Sequence, residues 1–175
     1  MRVKQGLVVF ITGGGSGLGL ATVTLLLSQG ASLCVADRDE AALEKLQKDY
    51  DAAASAEAAS SEGSSSSRLL CTPCDVSEEE SVRRAIEVAV ERFGTIHVAI
   101  ACAGVTRLTP TLTSRGPVDM KVFESVLAVN LTGTMHVVKH AAVQLAKNRA
   151  EGDGGGEKGL IILVSSIQAK EGQRA

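Results

Sequence analysis

Residues 8–19 read Val-Val-Phe-Ile-Thr-Gly-Gly-Gly-Ser-Gly-Leu-Gly. Leu7 to Ile11 reads as a strand that runs into a glycine-rich turn, and a helix follows from about Leu18 to Gln29, closed by Gly30. Glycines let the backbone turn tightly and approach a ligand without a Cβ in the way. The first N–H groups of the following helix have no intrahelical partner and attract an anion, with the helix dipole adding to that attraction. An acidic residue, Asp37, ends the next strand-like segment, Ala31–Ala36. Strand, glycine turn, helix and distal carboxylate together form the context in which a dinucleotide is held.

The rest of the chain continues this alternation. Asp39 is placed to cap a helix whose buried face carries Ala42, Leu43 and Leu46. Leu69–Cys74, His97–Ala101 and Leu160–Val164 read as strands. Ser77-Glu78-Glu79-Glu80 predicts a capping box at the head of a helix with Val82, Ile86, Ala89 and Phe93 on one face, stopped by Gly94. Residues 105–118 read as a loop. One long helix is expected from about Asp119 to Lys147, with Val122, Val126, Val129, Gly133, Val137, Ala141 and Leu145 as its buried stripe. Such alternation predicts an α/β fold of the Rossmann-like, doubly wound kind: a parallel sheet with helices on both faces, because each right-handed crossover needs a helix. Residues 1–175 make one dinucleotide-binding domain. Two polar stretches, 51–67 and 151–158, are read as flexible insertions, although the alanines after Asp51 can prolong the preceding helix by a turn or two.

Composition narrows the class. Eighteen basic against twenty acidic residues leave no basic excess for nucleic acid. Three Phe, one Tyr and no Trp leave the core to Val, Leu, Ile and Ala, which suits strands buried on both faces. No apolar run reaches the length of a membrane span. Cys34, Cys71, Cys74 and Cys102 lie in or beside apolar strands and are expected as free thiols in a reducing compartment, so an intracellular, soluble protein of the cytoplasm or mitochondrion is expected. No metal site is expected. Cys71-Thr72-Pro73-Cys74 sits at a strand end, not at the helix N-terminus that lowers thiol pKa values. His136 and His140 lack a third ligand and read as a helix edge.

The glycine turn has the spacing Thr12-Gly13-x-x-x-Gly17-x-Gly19. Asp75-Val76 follows the third strand, Ala101-Cys102-Ala103-Gly104 the fourth, and Ser165-Ser166 the fifth, while Asn130 lies in Val129-Asn130-Leu131-Thr132-Gly133. This series, in register over nearly the whole chain, resembles the short-chain dehydrogenase/reductase family. The resemblance implies that Gly13, Ser16, Gly17, Leu18 and Gly19 hold the pyrophosphate side of NAD. It places Asp37 on the adenosine ribose, Asp75 and Val76 around the adenine, and Cys102, Ala103 and Gly104 along the nicotinamide ribose. The Asp37 carboxylate disfavours a 2′-phosphate, so NAD is expected over NADP, a preference that the adjacent Arg38 could soften. Ser166 would bind the substrate oxygen, and Asn130 would hold a water in a proton relay. The stretches 13–22, 102–105, 129–131 and 171–173 resemble the branch acting on 3-hydroxyacyl-CoA and hydroxysteroids. The implied reaction interconverts a secondary alcohol and a ketone of acyl-CoA or steroid-like type, in a homodimer or homotetramer. Two departures stand out. Ala101 and Cys102 replace the paired asparagines of the family, and the family's Tyr-x-x-x-Lys motif does not occur before Ala175. The expectation is therefore a C-terminally truncated sheet with half an active site, inactive by itself. A non-catalytic nucleotide-binding or regulatory paralogue is the alternative reading.

Overall fold

The computed structural model describes residues 5–58, 67–107, 110–114, 116–149 and 156–171. Strands β1 (Val8–Thr12), β2 (Ser32–Asp37), β3 (Leu69–Pro73), β4 (Val98–Ala101) and β7 (Leu160–Leu163) form one parallel sheet in the order β3-β2-β1-β4-β7. The strand order reverses between β1 and β4, where α/β sheets open a crevice at their carboxyl ends.

Helices cover both faces. Val23 of α1 (Gly17–Ser28) and Leu43 of α2 (Glu40–Ala58) pack against Val9, Ile11, Leu33 and Val35. On the other face, Val82, Ile86 and Ala89 of α3 (Glu79–Phe93) join Val137, Ala141 and Leu145 of α5 (Thr134–Leu145) over Phe10, Cys34 and Ala99. Strand residues alternate between the two clusters, so β1 is buried along its whole length. The expected doubly wound sheet is present.

Residues 51–58 belong to α2, the prolongation that the alanines after Asp51 allow; 59–66 lie outside the described residues, as do 151–155 of the second polar stretch. Three local features depart from the sequence reading. Ser77 caps nothing. The Asp75 carboxylate accepts both the Ser77 N–H (2.9 Å) and the Ser77 hydroxyl (2.7 Å), and α3 starts two residues later without a side-chain cap. Glu80, free of the expected box, pairs with Arg83. The 105–118 loop holds a short antiparallel hairpin of β5 (Leu112–Thr113) and β6 (Gly116–Pro117).

The third departure matters most for the cleft. The long helix is three pieces: α4 (Met120–Leu127), a π-helical turn over Ala128–Gly133, and α5. A π turn inserts an extra residue and rotates the helix on its N-terminal side against the helix on its C-terminal side. Gly133, Val137, Ala141 and Leu145 are buried as expected, while Val122 and Val126 before the turn and Val129 within it are only half-buried.

Candidate functional site

The site is built from the carboxyl ends of the strands. After β1 the chain turns at Gly13, whose φ of +70° and close neighbour Ala103 (a Cβ would lie 2.6 Å from its Cα) exclude any side chain. Its N–H donates to the Ala36 carbonyl at 2.8 Å, tying the turn to β2. Ser16 is extended and Gly17 left-handed (φ +52°), and α1 then begins. Gly19 is packed so closely that a Cβ would lie 2.0 Å from the Gly13 carbonyl oxygen. The opening N–H groups of α1 are thereby held against a turn built mostly of glycine, a ready anion cradle.

Asp37 closes the cradle on the β2 side. Its Oδ2 accepts the Gly15 N–H at 2.9 Å and its Oδ1 the Asp39 N–H at 3.0 Å. Asp39 caps α2 as expected, accepting the Ala42 N–H at 3.0 Å. After β3, Asp75 is held by Ser77, whose hydroxyl and N–H lower the Asp75 pKa below the ordinary carboxylate value. After β4, Ala103 N–H approaches the buried Thr12 hydroxyl at 3.5 Å.

These ends meet in one cleft of about 450 Å³. All eleven residues assigned to cofactor binding line it: Gly13, Ser16, Gly17, Leu18, Gly19, Asp37, Asp75, Val76, Cys102, Ala103 and Gly104. Arg38, which the sequence places beside Asp37 as a brake on the NAD preference, lines it too, and sequence reading missed Asp39, Cys74, Val105, Val129 and Val164. Cys74 and Val164 were within reach, because each directly follows a strand and ligands sit at those ends. Val129 faces the cleft from the turn of π-helix that the apolar period conceals.

The two residues assigned to chemistry stand differently. Asn130 lies beside the cleft with its side chain engaged: Oδ1 accepts the Val105 N–H (2.8 Å) and Nδ2 donates to the Val105 carbonyl (2.9 Å). It clamps the segment leaving β4. Ser166 stands two residues beyond Val164, exposed, its hydroxyl accepting the Gln168 N–H at 3.2 Å; it does not line the cleft. The chain's one tyrosine, Tyr50, accepts the Arg68 N–H at 3.2 Å and packs with the α1–α2 face.

All four cysteines are free. Burial pushes Cys34 far up and Cys71 up to about 11, and raises Cys74 and Cys102, so none is poised as a thiolate. His136 and His140 stand at an interfacial helix edge. His136 bonds the Val76 carbonyl through Nδ1 at 3.0 Å, and His140 Nε2 meets Glu79 Oε1 at 3.0 Å. No helix among the described residues is long and apolar enough to cross a membrane.

Comparison with known proteins agrees with this geometry. The family model described as short chain dehydrogenase matches residues 7–175. The human 3-hydroxyacyl-CoA dehydrogenase type-2 is 36% identical over 174 residues, covering 98% of this chain and 60% of that protein. The ipsdienol dehydrogenase of Ips pini is 33% identical over 170 residues, covering 95% of this chain and 59% of that protein. The crystal structure of 3-hydroxyacyl-CoA dehydrogenase type-2 from Mycobacterium avium superposes with a TM-score of 0.80 at 27% identity, over 99% of this chain and 62% of that one. The chain thus spans about 60% of the length of the relatives it matches. With the match running through every strand that builds the cleft, the chain belongs to the short-chain dehydrogenase family.

Proposed function

We propose that this chain supplies the cofactor half of an NAD-dependent oxidoreductase that interconverts a secondary alcohol and a ketone. The observation that carries the reading is the convergence of five strand ends on one cleft lined by the whole expected cofactor set. The donors fit the group: a glycine-rich turn leading into the first N–H groups of a helix suits a pyrophosphate, and the Asp37 carboxylate suits ribose hydroxyls and repels a 2′-phosphate. When bound, the nicotinamide would supply the hydride acceptor.

The chain's own residues would then orient and position. The α1 N-terminus and Asp37 hold the two ends of the dinucleotide's adenosine-pyrophosphate half. Asn130 fixes the backbone of Val105 beside Cys102–Gly104, so that this wall keeps its shape. Ser166 would donate to the substrate oxygen and stabilise charge there. Tyr50, held by Arg68, is not available to exchange a proton in the cleft. The 175 residues alone are therefore expected to bind nucleotide and not to turn over.

The substrate class, a 3-hydroxyacyl-CoA or a hydroxysteroid, rests on the named relatives. In the full-length protein, self-association is proposed through the exposed apolar stripe Phe123, Leu127, Leu131 and Met135 along α4–α5. The test is calorimetric titration of the chain with NAD, NADH and NADP, followed by oxidation assays of the full-length protein on both substrate classes. Tighter binding of NAD than NADP, with turnover only in the full-length protein, is expected. Nucleotide binding without turnover by the full-length protein would favour the regulatory paralogue, and no nucleotide binding would refute the reading.

A further inference from the structure

We propose that His136 is a positioning residue for the adenine end of the cleft, acting by holding Val76; this rests on the cofactor reading above. Val76 lines the cleft and is otherwise buried under the sheet's α3–α5 face. Its carbonyl can only accept a hydrogen bond, so the 3.0 Å contact fixes the proton of His136 on Nδ1. Gly133, one turn earlier, presses on the same residue: a Cβ there would lie 2.8 Å from Val76 Cγ2 and 3.0 Å from its carbonyl oxygen. The other side of the loop is held from α3, where the Ser81 hydroxyl accepts the Asp75 N–H at 3.1 Å. Val76 is thus seated between two helices, and its height above the sheet is set by His136 and Gly133.

The same stretch of chain acts at the other end of the cleft. Asn130 holds Val105 from the π-helical turn, six residues before His136. In an uninterrupted α-helix residues six apart point about 120° apart. The π turn alters that angle, and from the two positions one helix reaches both walls.

The experiment titrates ADP-ribose into the chain and its His136→Leu and His136→Asn variants, with nicotinamide mononucleotide followed by NMR and thermal melting in parallel. Leu removes the donor, while Asn retains an N–H donor of similar reach. His136→Leu is expected to weaken ADP-ribose binding about 5- to 10-fold, the worth of one such hydrogen bond. Asn is expected to restore binding to within about 2-fold, and nicotinamide mononucleotide to bind all three alike. If the Leu variant does not fold, Gly133→Ala tests the same seat from below and should show the same selective loss. Unchanged ADP-ribose binding by a folded Leu variant, failure of Asn to rescue, or an equal loss for both probes would overturn the positioning role. Absence of ADP-ribose binding by the unsubstituted chain would instead overturn the cofactor reading, and this role with it.

Discussion

Asp37 Oδ2 accepts the Gly15 N–H at 2.9 Å, so the carboxylate assigned to the ribose also shapes the glycine turn. A side chain at Gly15 would crowd that carboxylate: a Cβ would lie 3.0 Å from that oxygen and 3.1 Å from the Ala42 Cβ, so a neighbour would have to give way. Asp37→Asn keeps one acceptor oxygen but introduces N–H donors facing the Gly15 or Asp39 N–H. NAD affinity is expected to fall at least about 10-fold, the loss of one charge-assisted hydrogen bond. Affinity for NADP should fall less, since the repulsive charge is gone. Parallel titrations with the two nucleotides decide it; equal losses would refute the discriminating role.

Gly17 and Gly19 separate two reasons for glycine. Gly17 faces open space but has φ +52°, whereas Gly19 is helical and lies against the Gly13 carbonyl. Gly17→Ala is expected to cost about 1–2 kcal/mol from the left-handed backbone alone. Gly19→Ala must push the turn away from the helix and should both destabilise more and abolish nucleotide binding. Denaturant melts of the two variants check the order, and a milder effect at Gly19 would contradict the packing.

The cleft was legible because its parts are local. Strand, turn and helix each announce themselves within a dozen residues, and the strand-end rule gathers Asp37, Asp75 and Gly104 without any contact being known. The π-helical turn was not legible. Val126, Val129, Gly133 and Val137 keep three- and four-residue spacing across it, so the apolar period does not register the added residue. At Ser77 two local motifs compete for one side chain. The Asp75 carboxylate takes the Ser77 hydroxyl and N–H, and no capping box remains. The partners of Asn130 and His136 are 25 and 60 residues away, beyond any local pattern.

Asn130→Ala removes both hydrogen bonds to Val105 and leaves its N–H and carbonyl for water, since the side chain is exposed. A stability loss of about 1–2 kcal/mol is expected. Amide exchange at Val105 should accelerate while β1 and β4 stay protected. Hydrogen-exchange mass spectrometry reads this directly; unchanged exchange around residue 105 would show the clamp to be idle.

The Asp75–Ser77 pair gives a pH signature. The Ser77 hydroxyl and N–H hold the Asp75 pKa below its unfolded value. A depressed carboxyl stabilises the fold above its unfolded pKa, and this contribution disappears as pH falls through the lower folded value. Ser77→Ala should therefore be less stable than the unsubstituted chain at neutral pH, with the gap narrowing below about pH 4. Melting temperatures across pH 2–7 test the sign, and a gap that widens in acid would reverse it. Asp75 is largely exposed, so the effect should be small and shrink in salt.

The two edges of the sheet are built differently. Leu33 N–H donates to Arg68 and Cys74 N–H to Asp37, so the alternation turns Leu69, Cys71 and Pro73 outward. Pro73 has no N–H, and the Ser67 hydroxyl meets both backbone groups of Leu69 at 3.0 and 3.4 Å. That edge is blunted. On β7, Leu160 donates to His97 and Val164 to Ala101, which turns the backbone of Ile161 and Leu163 outward. No proline or charge interrupts Leu160–Val164, and Leu160, Ile162, Leu163 and Val164 are all at least 40% exposed. Another strand pairs readily with such an edge, and here that includes another copy of the chain. Leu163→Lys, already exposed in side chain, is expected to suppress concentration-dependent self-association of the 175-residue chain without lowering its melting temperature. Thr72→Lys on the blunted edge should leave association unchanged. Sedimentation velocity over a concentration series distinguishes them. Association of Leu163→Lys at the unsubstituted level would shift the cause to the α4–α5 stripe, where Leu131→Lys should then abolish it.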